Sequence, residues 1–326
     1  LAQKKHIISD TSLPLVIVNP KSASGSTREN WAGTAADLRA HFGPFNVAFT
    51  KSQGHGIDIA ERAAKAGRRF IIACGGDGTI NEVANGILRS DEDVELGVLP
   101  SGTGGDFRRT LGMPMNNREA AAALRDGETR TIDVGKATFQ DHEAREVSRY
   151  FLNVSSVGLA ADVIRRVKSA KVFDWLPVES VRGKANFAVS TLRELAGLEA
   201  PIVRVRLDDG EERSLKTVAL CIANARYFGG GMMIAPDAKL NDGLLDVINI
   251  GDLSTLRVLT NVHSLYRGTH LDMKEVQSTR AKKIEITAFD DSQEIHLETD
   301  GELPGKLPAA YEIVPNALRV RFPAAE

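Results

Sequence analysis

The chain has 326 residues, 42% of them hydrophobic and 26% charged, with a formal net charge of −2. That length exceeds one typical domain and leads to an expectation of two, while the near-neutral balance excludes a general pull toward nucleic acid or an anionic membrane. No apolar run reaches the roughly 18 residues needed to span a bilayer, and the first six residues lack the apolar core of a signal peptide.

Residues 15–18 (Leu-Val-Ile-Val) predict a short buried strand, stopped by Asn19-Pro20. A Ser/Gly-rich loop follows over 21–27, then a helix over 30–41, a strand over 47–50 and a helix over 57–66. The strand 70–74 runs into Cys74-Gly75-Gly76-Asp77-Gly78-Thr79-Ile80-Asn81-Glu82. A helix leaves that turn, because Ile80, Val83, Ala84, Ile87 and Leu88 repeat with helical spacing. Thr79-x-x-Glu82 also reads as a capping box that would start this helix. A strand over 94–99 leads into Ser101-Gly102-Thr103-Gly104-Gly105-Asp106-Phe107, and 118–126 is helical. Strands alternating with helices predict a parallel sheet with helices on both faces, which binds ligands beyond the carboxyl ends of its strands.

After Asp133 strand follows strand. Val203, Val205 and Leu207 alternate with Arg204 and Arg206, and Ile284 and Ile286 alternate with polar residues. Period-two alternation with one wet and one buried face predicts an antiparallel sandwich. Asp208-Asp209-Gly210 and Asp290-Asp291-Ser292 read as hairpin turns, and two helices are expected over 159–170 and 183–196. Cys74 and Cys221 lie in apolar strand-like runs and read as buried free thiols, which suits a reducing cytoplasm. The seven histidines show no metal-ligand spacing.

The chemistry sits in the glycine turns. A glycine-rich turn between a strand and a helix N-terminus offers close backbone approach, N–H groups and a favourable dipole to a phosphate. Asp77 adds a carboxylate suited to Mg²⁺ or a metal-bound water. The chain has no P-loop, no dinucleotide glycine fingerprint and none of the protein-kinase elements. Phosphoryl transfer needs positioning, charge neutralisation and a base for the acceptor hydroxyl. Asp77, Asp106 and the Asp300-Gly301-Glu302 turn are the acidic candidates, although Asp-Gly-Glu alone is a common hairpin tip.

In chain order, Asn19-Pro20-Lys21-Ser22 with Gly25, Gly75 to Glu82, Leu99 to Phe107, Asn241-Asp242-Gly243-Leu244-Leu245-Asp246 and Asp300-Gly301-Glu302 resemble the diacylglycerol kinase catalytic-domain family. The resemblance is to its soluble bacterial lipid-kinase branch, related to sphingosine kinases and more distantly to NAD kinases. It implies an N-terminal Rossmann-like α/β nucleotide-binding domain (12–132 with 308–326) and a C-terminal antiparallel β-sandwich for the lipid (133–307). It further implies that ATP is held by Asn19, Thr50, Gly75, Gly76, Asp77, Gly78, Thr79, Asn81, Glu82, Gly102 and Thr103. Asp77 and Asp106 would organise a catalytic Mg²⁺, and Glu302 would be the general base, with Asp300 beside it in the catalytic set. A structural Mg²⁺ would lie at Asp242 and the backbone carbonyls of Lys239 and Leu244.

Two departures from the family pattern stand out. Gly105 precedes Asp106 where Asn is usual, and Arg108 stands where a small residue is common. A kinase of a soluble acceptor such as NAD would share the first loop and not the second. A sphingoid or ceramide kinase is a further alternative, and a non-catalytic nucleotide or lipid sensor is the remaining class. The expected partner is a lipid at a membrane surface, with no nucleic acid, and a homodimer is a further expectation. The protein would be cytoplasmic with peripheral membrane contact, through the basic, aromatic segment 165–184.

Overall fold

β1 (Leu15–Val18), β3 (Phe70–Gly75) and β4 (Glu95–Pro100) are short apolar runs, and all but Phe70 of their residues are buried. Strands buried on both faces belong to a covered parallel sheet, and the computed structural model shows one. The structure describes residues 11–101, 105–158, 200–251, 253 and 255–324. It divides into two units, residues 1–133 with 316–326 and residues 134–315.

In the first unit β1 is followed by α1 (Ser26–His41), β2 (Asn46–Phe49) and α2 (His55–Lys65); β3 is followed by α3 (Asp77–Ser90); and β4 is followed by α4 (Asp106–Leu111) and α5 (Asn117–Asp126). The parallel order is β2-β1-β3-β4, with the end of the last strand, β15 (Glu302–Phe322), beside β4 through Arg319–Glu95 and Val320–Leu96. α2 packs on α3 over a seam of small residues: a Cβ on Gly86 would lie 2.4 Å from the Ile57 carbonyl oxygen. Asn116 caps α5, its side-chain oxygen accepting from the N–H groups of Arg118 and Glu119.

The predicted capping box does not form. α3 begins at Asp77 with Gly76 as its N-cap, so Thr79 is already inside the helix. The six-residue α4 was not anticipated, because it is too short to show a helical period.

The second unit contains β5 (Glu128–Gln140, entering from the first unit), β6 (Glu146–Phe151), β7 (Val154–Gly158), β8 (Ile202–Leu207), β9 (Arg213–Lys216), β10 (Ala219–Ala223), β11 (Leu245–Ile250), α6 (Thr255–Arg267), β12 (Val276–Ala281), β13 (Lys283–Ala288), β14 (His296–Thr299) and the first part of β15. Its antiparallel order is β12-β11-β10-β7-β14-β15. Further along, β15 pairs with β13, which pairs with β8 and through it with β9. Leu220 and Ile222 join one core with Val247, Leu297 and Tyr311, while Cys221 and Ala223 face a second core with Ile234 and Ile248. Strand alternation therefore feeds apolar layers on both sides of β10.

Asp208-Asp209-Gly210 connects the paired strands β8 and β9, as expected. Asp290-Asp291-Ser292 is not a hairpin tip: β13 pairs with β8 and β15, and β14 with β7 and β15. The chain re-enters the first unit at Asn316, whose N–H donates to Asp133 Oδ1 at 2.8 Å. The expected helices at 159–170 and 183–196 and the segment 165–184 lie outside the described residues. No helix among the described residues is long and apolar enough to cross a membrane.

Candidate active site

The parallel strands of the first unit end in a row of polar residues. Asn19 follows β1; its N–H donates to the Cys74 carbonyl at 3.0 Å and its Nδ2 to Thr79 Oγ1 at 3.1 Å. Thr50 follows β2 and is buried, its N–H donating to the Val18 carbonyl. Gly75 ends β3, and a Cβ there would fall 2.5 Å from Thr79 Oγ1, so Thr79 packs beneath the turn and glycine is required above it. Gly76 opens the other way, with nothing within 4 Å of where a Cβ would stand. The helix α3 thus starts under an open, side-chain-free turn, the arrangement that admits a phosphate.

Asp77 and Asp106 start α3 and α4, and these two turns meet. Asp77 Oδ1 accepts the N–H of Phe107 at 3.0 Å, and its other oxygen has no protein partner among the described residues. Asp106 is buried, and its Oδ1 accepts from Arg109 Nη1 at 3.2 Å. Arg108 lies near both acids. Burial pushes its pKa down and Arg109 adds to that, while Asp77 and Asp106 oppose both. Two carboxylates in one turn region are hard oxygen donors of the kind Mg²⁺ takes, so the residues present fit that ion.

Gly105 has φ 65° and ψ 40°, the left-handed region. Asn is one of the few side chains that visit this region readily, so glycine in place of the usual Asn keeps the backbone and removes only an amide. Gly102 and Thr103 lie outside the described residues.

Asn81 and Glu82 make contacts within the first unit. Asn81 Oδ1 accepts from Asn85 Nδ2 at 3.0 Å. Both oxygens of Glu82 are taken by the first turn of α2, from Gly54 N–H at 2.7 Å and Gly56 N–H at 2.8 Å. Glu82 therefore staples α2 to α3. Sequence reasoning also missed a chain of hydroxyls, Ser22 to Thr27 to Ser101, which links the loop after β1 to the end of β4.

In the second unit Asp300 and Gly301 have φ 45° and 84°, and join β14 to β15 as a two-residue turn. Positive φ at both positions is the primed geometry that matches strand twist. The Asp300 carboxylate accepts three backbone N–H groups, from Leu152 at 2.7 Å, Asn153 at 2.9 Å and Val154 at 3.1 Å. It is buried, and these three bonds anchor the turn to that loop. Glu302 stands just beyond, partly exposed, with Arg149 Nη1 of β6 at 3.5 Å. Nothing in the local sequence points to Arg149.

The third candidate cluster is the turn before β11. Asp242 Oδ1 accepts the Leu244 N–H at 3.2 Å, and Arg280 Nε lies 3.1 Å from Asp246 Oδ1. Burial pushes the Asp246 pKa up and Arg280 opposes it, while Asp242 and Asp237 push it further up. The turn thus gathers negative charge suited to a cation. No group of three or more His, Cys, Asp or Glu side chains forms a metal site among the described residues. The structure therefore groups Asn19, Gly75, Gly76, Asp77, Thr79 and Asp106 in the first unit, and places Asp300 with Glu302, and Asp242 with Lys239 and Leu244, on two turns of the second.

Comparison with known proteins places this arrangement. Residues 14–137 match the family model of the diacylglycerol kinase catalytic domain, and residues 153–322 match that of the YegS C-terminal NAD kinase beta sandwich-like domain. A diacylglycerol kinase of Mycobacterium tuberculosis (strain CDC 1551 / Oshkosh) is 30% identical over 309 residues, covering 94% of each chain. This chain belongs to the diacylglycerol kinase family. Within that family it is an ATP-dependent lipid kinase. A diacylglycerol kinase of Bacillus subtilis (strain 168) is 27% identical over 297 residues, 91% of each chain. A crystal structure from Bacillus anthracis str. Sterne, described as a candidate diacylglycerol kinase, superposes with a TM-score of 0.71 at 26% identity over 95% of each chain.

Proposed function

We propose that this kinase transfers the γ-phosphate of ATP to the free hydroxyl of diacylglycerol, with Mg²⁺ as cofactor. The observation that carries the reading is the bond from the Phe107 N–H, next to Asp106, to Asp77 beside the side-chain-free turn at Gly76. The first unit would hold the nucleotide, with Gly75, Gly76 and the first turn of α3 against the phosphates and Asn19 fixing the turn through Thr79. Asp77 and Asp106 would hold the Mg²⁺, which supplies positive charge against the phosphate oxygens. The second unit would serve the lipid. Glu302 would accept a hydrogen bond from the acceptor hydroxyl and take its proton on a carboxylate oxygen late in the transfer, since a carboxylate is a weak base for an alcohol. Arg149 would fix the orientation of Glu302. A second Mg²⁺ at Asp242 with the Lys239 and Leu244 carbonyls would brace the loop before β11. The enzyme would work in the cytoplasm at a membrane surface, since its acceptor resides there.

The test is transfer of labelled γ-phosphate to a panel of diacylglycerol, monoacylglycerol, ceramide, a sphingoid base and NAD, for the native enzyme and Glu302→Gln. Diacylglycerol should be the preferred acceptor, with a loss of roughly 10²–10³-fold in kcat for the variant. Preference for NAD or a sphingoid base would overturn the acceptor assignment. Full activity of Glu302→Gln would overturn its role as base.

A further inference from the structure

The Asp300-Gly301 turn is held from a second side by a residue that no motif marks. Glu298 lies on β14 directly opposite Ser156 of β7, and is almost fully buried. A buried carboxylate is costly unless its oxygens are satisfied. One oxygen, Oε2, accepts from Ser156 Oγ at 2.8 Å. The other, Oε1, accepts the N–H of Gly301. The Glu298 backbone is fixed as well, its carbonyl accepting from Ser155 Oγ at 2.6 Å.

Gly301 is the residue before Glu302, and the second residue of a two-residue hairpin loop has no ladder partner for its N–H. Glu298 supplies one. Asp300 grips the turn through the loop at 152–154, and Glu298 grips it through β7. The strand register adds a further sign: Leu297 pairs with Gly305 and Thr299 with Glu302, so β15 carries one residue more than β14 between these pairs. A bulge at that point re-aims the side chain beside it, and that orientation holds only if the turn cannot slide.

We infer that Glu298 is a positioning residue for Glu302, acting through the Gly301 N–H to fix where the Glu302 carboxylate stands. The inference rests on the reading of Glu302 as the base. Charge on Glu298 is not what the role needs. A glutamine can accept from Gly301 through its carbonyl oxygen and donate to the Ser156 hydroxyl, which can act as either partner.

The experiment measures kcat and KM for ATP in Glu298→Leu, Glu298→Gln, Glu302→Gln and Glu298→Leu/Glu302→Gln, with circular dichroism and melting to confirm folding. Glu298→Leu should lower kcat roughly 10²-fold, the usual cost of a small misplacement of a reacting group. KM for ATP should not move, and Glu298→Gln should restore most of kcat. The double variant should be no slower than Glu302→Gln alone, because the two residues act in series. If Glu298→Leu does not fold, Ser156→Ala takes its place, with a smaller loss of kcat that again vanishes in the Glu302→Gln background. A double variant slower than Glu302→Gln, or an unaltered kcat in folded Glu298→Leu, overturns the inference and leaves the base assignment standing. A fully active Glu302→Gln overturns the base assignment itself.

Discussion

Asp77-Gly78 and Asp300-Gly301 are the same dipeptide at the start of a turn, and their carboxylates have opposite fates. Asp77 gives one oxygen to the Phe107 N–H and has no protein partner for the other among the described residues. Asp300 gives its oxygens to three N–H groups and lies buried. The residue type and its local motif are therefore silent on role. An acid is available for chemistry when its acceptor capacity is left over, and structural when the fold has consumed it. Replacing each by alanine separates the two. Asp77→Ala should lower phosphoryl transfer by roughly 10²–10³-fold, and because it frees only the Phe107 N–H it should cost no more than about 1 kcal/mol of stability. Asp300→Ala leaves buried N–H groups without an acceptor and should destabilise the second unit by about 3 kcal/mol, read as a lower urea midpoint. A loss of stability in Asp77→Ala as large as in Asp300→Ala, or an unchanged midpoint in Asp300→Ala, would erase the distinction.

The same distinction explains what the sequence could and could not disclose. The parallel strands and their helices were legible because burial imposes local periods, continuous apolar runs for β1, β3 and β4 and helical spacing for α3. The glycine turns were legible because strand, glycine and helix follow one another within a few residues. What the sequence hid was spent elsewhere in the chain. Glu82 has the spacing of a capping box with Thr79, yet it caps α2 through Gly54 and Gly56. Asp300 meets partners about 150 residues before it. Asp290-Asp291-Ser292 has good turn chemistry, but the neighbours of β13 and β14 were chosen by the sheet and not by the turn.

Glu95 sharpens the contrast as an acid consumed by side chains instead of backbone. Its Oε1 accepts from Thr129 Oγ1 at 2.6 Å and Arg321 Nε at 2.5 Å, and its Oε2 from Arg321 Nη2 at 2.7 Å. Burial pushes its pKa up, but the Arg321 and Thr129 hydrogen bonds outweigh this and hold it below the usual carboxylate range. A depressed pKa contributes stability that is present above the ordinary Glu value of about 4.3 and is lost as pH falls through the folded value. Arg321→Met should therefore cost about 2 kcal/mol near neutrality. The difference from the native protein should shrink as pH drops below about 4. A difference independent of pH would mean that packing, and not the ion pair, ties the end of β15 to β4.

The smallest effect belongs to the lip of the open turn. Gly105 stands at φ 65°, and the nearest atom to an added Cβ is Arg108 Nε at 3.2 Å, the movable part of a long side chain. Space is therefore not the constraint; backbone conformation is. Gly105→Ala should cost about 1 kcal/mol, the penalty for a Cβ in the left-handed region. Gly105→Asn should cost less, because its short polar side chain tolerates that region. Both should keep most of their transferase activity, since Phe107 N–H still reaches Asp77 when the turn holds its shape. If the alanine variant is as stable as the native protein, the left-handed turn is not what orders α4. If the asparagine variant loses activity with its stability intact, the open turn is shaped by the missing amide as well as by its backbone.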